Sequence, residues 1–543
     1  MVDLLNVENP LLSFLALSLI SFLVCCLFFF FLFSNFYRQQ QAPTKTPSPQ
    51  SYPIIGNLIG FLRNRHRFHD WVSDMLSQTP SSTLQVNSFL NLSHGVCTAN
   101  PINLQHLLHS NFPNYIKGSR YHDVLHDLLG YGIFSVDAHL WTLQRKISSH
   151  EFNTKSLKHF ISDVVTSQLS DTLVPFLSNA CKDNQIIDLQ ETLQKFTFSN
   201  ICKVAFGVDI TSMDNSGFVK AFDDAVEICS SRFLSPVPTI WKIKRLLNLG
   251  SEKRFKQAIK VVNDFALEII KSKEKQELQN YKENTGKNQD LLSRFTSKTR
   301  LEMEFEDEEK RRKFLRDIVI SFILAGKDST STALTWFFWL INGHPRCVRL
   351  ILDEVVALEG FNYDEFKKLN YLHAALSESL RLFPPVPINS RLTVNDDVWP
   401  DGTYVGKGWF ADYSAYAMGR MEKVWGPDCR EFKPERWLDD DGVFQPSDQF
   451  KFPVFHCGPR MCLGKDMAYV QMKTIVVALM REFEIIAVDG GASAEKMMNP
   501  PYTLSLLLKM RGGFHVRLQK RRDWQMTLKQ TSPRKTGKIN GVC

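Results

Sequence analysis

Apolar residues recur with a 3.6-residue period along Thr154–Leu177, Leu189–Val204, Arg254–Ser272, Lys313–Asn342, Arg346–Leu358 and Gly464–Phe483. That spacing puts one apolar stripe on each segment and predicts six amphipathic or buried helices. Strict alternation is rarer; Gly402–Phe410 carries it and reads as a strand. Lys271–Arg312 is dense in charge and loses the helical period in its middle, which predicts an exposed surface loop rather than a domain boundary. No internal repeat appears, and no linker interrupts residues 58–519. The pattern predicts a mainly α protein: one large helical body with a minor β-sheet.

The two ends depart from this pattern. Leu11–Phe33 is a 23-residue run without a charge. As a helix it spans about 34 Å, enough to cross a bilayer. Asp3 and Glu8 precede it, and Arg38 and Lys45 follow. This flanking lacks the basic start and small-residue cleavage site of a secretory signal, and it predicts an uncleaved anchor over residues 1–37 with the body in the cytosol. Residues 38–57 are a proline-rich hinge, with four prolines in the 17 residues Gln41–Asn57. Residues 520–543 carry basic groups (Lys520, Arg521, Arg522, Arg534, Lys535, Lys538) and read as a flexible tail.

Composition changes the picture only slightly. With 543 residues and 41 Phe the chain can bury a large core, and a formal charge of +8 spread over this length points to no nucleic-acid module. Eleven cysteines without a repeating spacing imply reduced thiols facing the cytosol. On that orientation the sequon Asn91-Leu92-Ser93 stays unmodified.

The concentrated chemistry lies in Phe455–Gly464, FHCGPRMCLG, which holds Cys457 and Cys462. The spacing is loose for zinc and no second ligand pair follows. Cys462 sits at the N-terminus of the helical run from Gly464, where free N–H groups and the helix dipole favour an anion and lower a thiol's pKa. Gly458 and Gly464 permit a sharp turn and a close approach by something flat. These features suit the proximal side of a haem-thiolate site.

Here the chain resembles the cytochrome P-450 superfamily, whose signature Phe-x-x-Gly-x-Arg-x-Cys-x-Gly is matched by Phe455, Gly458, Arg460, Cys462 and Gly464. The resemblance implies a haem-thiolate catalytic domain over residues 58–519, with haem b as cofactor and Cys462 as the metal ligand. Cys457 falls at a variable position and reads as a small buried residue. Glu378 and Arg381 match the family's Glu-x-x-Arg pair, and Arg436 supplies the second arginine of its structural network. Trp141, Arg145, Arg391 and Arg460 match positions that face a haem propionate. In Ala325–Thr330 the family's acid–alcohol pair, which moves protons to bound dioxygen, falls on Asp328 and Ser329; Thr330 can share the alcohol's role.

The chain has no flavin or nicotinamide fingerprint, so the resemblance implies NADPH-cytochrome P-450 reductase as partner, at the endoplasmic reticulum membrane, with a single-pass anchor and a cytosolic catalytic domain. Trp141–Phe160, Leu324–Leu340 and Tyr416–Trp437 are similar to plant enzymes of the fatty-acid ω-hydroxylase clan. This implies a lipid-like small-molecule substrate oxidised at its terminal carbon. Sterol side chains and jasmonate conjugates are the alternatives among the clan's relatives. Where the fatty-acid enzymes often carry an acid and a lysine after Pro-x-Pro, this chain has Asn389-Ser390-Arg391. The aromatic run Trp336–Trp339 suits either the core or the wall of a narrow substrate channel. The rivals to a monooxygenase are a hydroperoxide-rearranging haem-thiolate enzyme, which tends to lose the acid–alcohol pair kept here, and a haem protein without catalysis.

Overall fold

The computed structural model describes residues 46–521 apart from 53–54, 89–93, 151, 153–155, 157–163, 211–215, 236, 283–289, 302–306 and 489–499; positions 18, 19, 21–23 and 26 are described beyond them. The principal helices are α1 (Gly118–Leu129), α2 (Ala138–Ser149), α3 (Leu189–Phe206), α4 (Ser216–Phe233), α5 (Ser251–Lys282), α6 (Glu308–Asn342), α7 (Pro345–Val356), α8 (Asn370–Leu382) and α9 (Lys465–Glu482). A five-stranded sheet runs in the order β1-β2-β6-β5-β3. Its strands are β1 (Thr83–Asn87), β2 (His94–Thr98), β3 (Tyr115–Ile116), β5 (Ile388–Thr393) and β6 (Phe410–Ser414). A three-stranded sheet joins β4 (Ile186–Asp188), β8 (His515–Lys520) and β7 (Phe483–Ala487) in the order β4-β8-β7.

The long helix α6 is the axis of the body. Its N-cap is Asp307, whose side chain accepts the Lys310 N–H, with Glu308 and Glu309 in the first turn where the dipole favours acids. Its last turns, from Ala333 to Ile341, are mostly apolar and buried in the largest hydrophobic cluster. Trp336 stacks on Phe383 with centroids 4.6 Å apart, and its indole N–H donates to the Leu508 carbonyl at 2.6 Å. Trp336, Phe337 and Phe338 are fully buried in the largest hydrophobic cluster, and Trp339 packs edge-on against Phe514. This run is core.

A buried carboxylate ties the helical half to the rest. Glu378 and Arg381, three residues apart on α8, are both wholly inaccessible and form two 2.7 Å bonds. Glu378 also accepts from Trp437 Nε1 at 2.9 Å, from the Lys433 N–H at 3.0 Å and from Arg436 Nε at 3.4 Å. Arg381 donates onward to the carbonyls of Gly419, Cys429 and Glu431. Arg436 in turn donates to the carbonyls of Trp425 and Asp428. The irregular segment 415–437 is thereby fastened to α8 by its own backbone. Gly419 is required there, because a Cβ at that position meets the Arg381 carbonyl oxygen at 2.0 Å.

Five of the six predicted helices form: those expected from Leu189, Arg254 and Lys313 run longer than predicted, and those expected over Arg346–Leu358 and Gly464–Phe483 end a residue or two short. Most of Thr154–Leu177 lies outside the described residues, and its described end is helical from Thr166. Among its described residues, the loop expected over Lys271–Arg312 is helical; residues 283–289 and 302–306 lie outside them. α5 continues to Lys282, a helix covers Leu291–Leu301, and α6 begins at Glu308. Leu291, Leu292 and Phe295 are buried, and several of the charges are buried with their partners, as Arg311 is with Glu274 and Lys273 with Asp290. The strand expected over Gly402–Phe410 shrinks to Tyr404–Val405, because Gly402 and Gly408 turn the chain with φ of +84° and +77°. The run Leu11–Phe33 lies almost wholly outside the described residues, as do Asn91 and 522–543; among the described residues no helix is long and apolar enough to cross a membrane. The hinge is described from residue 46 except at 53–54, and there it is stitched to the sheet. Asn57 Nδ2 donates to the carbonyls of Pro49 and Gln50, the Gln85 N–H donates to the Pro47 carbonyl, and the Asn87 N–H donates to Asn57 Oδ1. β8 runs through Lys520, the first residue assigned to the tail.

Glu378→Gln leaves the wholly buried Arg381 guanidinium without its counter-charge, while Arg436 keeps Asp428. The expected loss is about 3–5 kcal/mol, a large part of a typical folding free energy. Urea unfolding of the variant against wild type measures it; a midpoint within error of wild type shows that the network does not carry the fold.

Candidate functional site

The loop before α9 is held in one shape. Phe455 packs on Tyr469 of α9 with centroids 5.4 Å apart, and Tyr469 hydrogen-bonds Ser377 of α8 at 2.9 Å. His456 adopts φ +60° and ψ −178°, a conformation that side chains avoid, so the surroundings enforce it at a cost of roughly 1–3 kcal/mol. Gly458, with φ +62°, lies so close to the Leu108 carbonyl that a Cβ would overlap it at 2.1 Å. The Cys462 N–H then donates to the Phe455 carbonyl at 2.8 Å, closing the loop. Gly464 caps α9 and leaves space beside Cys462 Sγ that Phe152 borders.

The two cysteines of this loop part company. Cys457 is buried, and its thiol donates to the Gln449 carbonyl at 3.0 Å. Cys462 is open to solvent, although enough protein surrounds it for burial to dominate its ionisation. It is thus reachable by solvent yet closely surrounded by protein. The expectation of a thiol lowered by the helix end needs correction. The Gly464 N–H and Arg145 both pull it down, but burial outweighs them and the thiol stays above its ordinary range. Cys347 offers no second candidate: it accepts the Tyr371 hydroxyl at 3.4 Å inside the core, beside Glu435. All nine cysteines among the described residues are free.

Around the loop stands a cluster of cations with too little anion. Arg460 donates to Asp137 at 2.6 Å and to the Val136 carbonyl at 2.8 Å, with its guanidinium 4.6 Å from the Trp141 ring. Arg145, one turn after Trp141 on α2, donates to the Met461 carbonyl at 2.8 Å. Arg391 on β5 is wholly buried; Nη1 reaches the Ser390 carbonyl, while Nε and Nη2 have no partner. Arg460 Nε is likewise orphaned. Lys117, which the sequence pattern did not mark, joins them, lying over the Tyr121 ring at 3.7 Å. Burial first, then Arg391 and Arg460, push its pKa well below that of a free lysine. Arg460 is held down at about 10 by burial and by Arg391. Buried guanidiniums with unmade bonds call for an anionic group not supplied by the chain. A planar cofactor bearing carboxylates would fit this donor set, with the open thiol of Cys462 in reach to ligate its metal.

The distal candidates lie on α6, which is unbroken. Gly326 permits close approach to α3: a Cβ there would meet Ile201 at 2.6 Å. Thr197 of α3 donates to the Lys327 carbonyl at 2.6 Å. Ser329 is half-buried and donates to the Ala325 carbonyl at 2.6 Å, whereas Thr330 is buried. Leu324, Ala325 and Gly326 share the partly open face with Ser329. Asp328 is fully buried and paired to Lys327 at 2.8 Å; Oδ2 has no partner. The structure thus separates the acid from the alcohol by burial.

A helical body with a strained cysteine loop and an uncompensated cation cluster defines a haem-thiolate class of protein. The family model described as Cytochrome P450 matches residues 46–514. The chain is 45% identical over 483 residues to Cytochrome P450 94A1 of Vicia sativa, covering 87% of this chain and 90% of that relative. It is 41% identical over 500 residues to Cytochrome P450 CYP94D108 of Paris polyphylla (89% and 94% covered), and 40% identical over 503 residues to Cytochrome P450 94B1 of Arabidopsis thaliana (90% and 95% covered). The chain belongs to the cytochrome P450 family, and is a haem-thiolate monooxygenase similar to the CYP94 proteins. Its cofactor is haem, held through a cysteine thiolate, and the family implies a redox partner and a small-molecule substrate.

Lys117→Met removes a repelled buried charge. The haem-free protein gains on the order of 1 kcal/mol, while the haem-loaded protein loses cofactor faster. Thermal melting of the first and haem transfer to apomyoglobin from the second test both signs; an unchanged transfer rate places Lys117 outside the anion site.

Proposed function

We propose that the chain hydroxylates the terminal carbon of an extended lipid chain, a fatty acid, as a membrane-anchored monooxygenase. Electrons come from NADPH-cytochrome P-450 reductase at the endoplasmic reticulum, and Cys462 is the haem ligand. The observation that carries the ligand assignment is the pairing of an open, strained-loop cysteine with the orphaned guanidinium atoms of Arg391 and Arg460. Similarity to CYP94 proteins over most of the chain supports the lipid reading.

Bound haem with a thiolate ligand supplies dioxygen activation and the insertion of one oxygen atom into a C–H bond. The chain's residues do the rest. Arg391, Arg460, Arg145 and Lys117 fix the cofactor's carboxylates. Ser329 Oγ offers a hydroxyl on the partly open face of α6, and the Asp328 carboxylate, paired to Lys327 behind it, takes up and passes on a proton. Half-buried apolar residues (Leu324, Val386, Ile388, Leu506) suit an alkyl chain and exclude water. A terminal methyl C–H is stronger than that of the neighbouring methylene, so terminal selectivity requires that only the chain end be presented for reaction.

Membrane attachment rests on Leu11–Phe33 and on a second feature. The helix Pro238–Leu246 and the residues after it expose Ile240, Ile243, Leu246, Leu247 and Leu249 among Lys242, Lys244 and Arg245. An exposed apolar patch with basic neighbours suits an anionic lipid surface.

Two outcomes are expected. Cys462→Ala abolishes the thiolate-type carbon monoxide difference spectrum and Cys457→Ala leaves it intact; the reverse result reassigns the ligand to Cys457. With lauric or oleic acid, reductase and NADPH, mass spectrometry finds the alcohol mainly at the terminal carbon. Predominant in-chain or ring hydroxylation of the best-bound ligand, tested also with a sterol and a jasmonate conjugate, would falsify the ω-type reading and leave the monooxygenase class intact.

A further inference from the structure

Four charges form a closed square behind the distal face. Lys327 Nζ lies 2.8 Å from Asp328 Oδ1 and 2.9 Å from Asp223 Oδ1. Lys509 Nζ lies 3.2 Å and 3.3 Å from the same two oxygens. Lys327 and Asp328 are wholly buried, Lys509 is mostly buried, and Asp223 is 37% exposed. The two lysines have fixed roots. Lys327 belongs to α6, and the backbone flanking Lys509 is pinned: Trp336 Nε1 to the Leu508 carbonyl, the Leu508 N–H to the Pro385 carbonyl, and the Met510 N–H to Gln190 Oε1.

The fourth corner belongs to a separate element. Asp223 lies on α4, and seven residues on, on the same face, Ser230 accepts the Leu506 N–H at 3.0 Å and meets Ser505 Oγ at 3.2 Å. α4 therefore hooks the segment 503–509 at two points, one of which is the charge square. Each lysine is shared between two aspartates. When Asp223 is present, Asp328 receives part of each cation; without it, both cations bear on Asp328 alone.

We propose that Asp223 is a positioning residue: by drawing Lys327 and Lys509 partly away, it lets the seating of α4 against residues 503–509 set how readily Asp328 takes up a proton for delivery into the cleft. This rests on the monooxygenase reading with Asp328 as distal acid. Its partners are named on every side: Lys327 on α6, Lys509 on the 503–509 segment, Gln194 Nε2 of α3 at 3.5 Å, and Asp223 of α4 through the lysines. Asp328 is held below the ordinary carboxyl range by the two lysines against the opposing pull of burial, and its orphaned Oδ2 leaves a place for the proton. The sign follows: removing the Asp223 anion lowers the pH at which Asp328 protonates, and removing the Lys509 cation raises it.

The test uses full-length, haem-loaded protein with reductase and lauric acid. Asp328's carboxyl band is assigned in infrared spectra as the band lost in Asp328→Asn, and it is titrated with pH. In Asp223→Asn the midpoint moves to lower pH by about one unit and the fraction of NADPH lost as peroxide rises several-fold, while Asp223→Glu restores both. In Lys509→Met the midpoint moves to higher pH, so the two variants bracket wild type. The thiolate-type carbon monoxide spectrum and the melting temperature of Asp223→Asn stay at wild-type values. An Asp223→Asn protein with an unmoved Asp328 band and an unchanged peroxide fraction overturns the proposal, as does a shift of the same sign in both variants. A wild-type protein lacking the thiolate spectrum overturns the underlying reading instead.

Discussion

The buried carboxylate of Glu378 is the constraint on which the architecture turns. A carboxylate removed from water is tolerated only when its oxygens are fully engaged. Here an arginine on its own helix, a second arginine, an indole and a backbone N–H engage it. Each donor comes from, or reaches into, the segment that leads to the cysteine loop. The position of Cys462 therefore descends from this pair through covalent connection and through the Phe455–Tyr469–Ser377 contact, which returns to α8. The strain at His456 is tolerable because both ends of its loop are fixed in this way.

Electrostatics are arranged oppositely around Glu378 and around the cysteine loop. Glu378 lies among a surplus of donors, whereas Arg391, Arg460, Arg145 and Lys117 crowd together with Asp137 as their counter-charge and with guanidinium atoms unpaired. The first arrangement is complete in the polypeptide and serves stability. The second is incomplete without a ligand, and that incompleteness marks it as a binding site. Behind α6 the third cluster, two lysines and two aspartates, is balanced in charge and touches solvent at Asp223.

How far the sequence foretold this depended on the range of the interactions. Local signals read well: the period of α3, α6, α7 and α9 follows from stripes that each helix carries itself, and Cys457 is the small buried residue its variable position implied. Lys271–Arg312 misled because charges such as Lys273 and Arg311 are buried against partners remote in sequence, which no local period reveals. Lys117, Lys509 and Asp223 were invisible, since nothing near them in sequence separates them from surface charges; only long-range packing brings them to β5 and α6. The thiol of Cys462 was misjudged for a related reason: the helix end is a local feature, but desolvation is set by the whole surround.

The stitching of the hinge has a mechanical consequence. Pro47, Pro49 and Gln50 are bonded to Gln85 of β1 or to Asn57, which is itself bonded to Asn87 of β1. A pull arriving from the N-terminal side is met by several bonds together and enters the edge strand of the five-stranded sheet. Neither α4 nor the 503–509 segment lies on that load path. Tension applied at Pro47–Gln50 can thus reorient the whole body without prising apart the helices that surround the cleft.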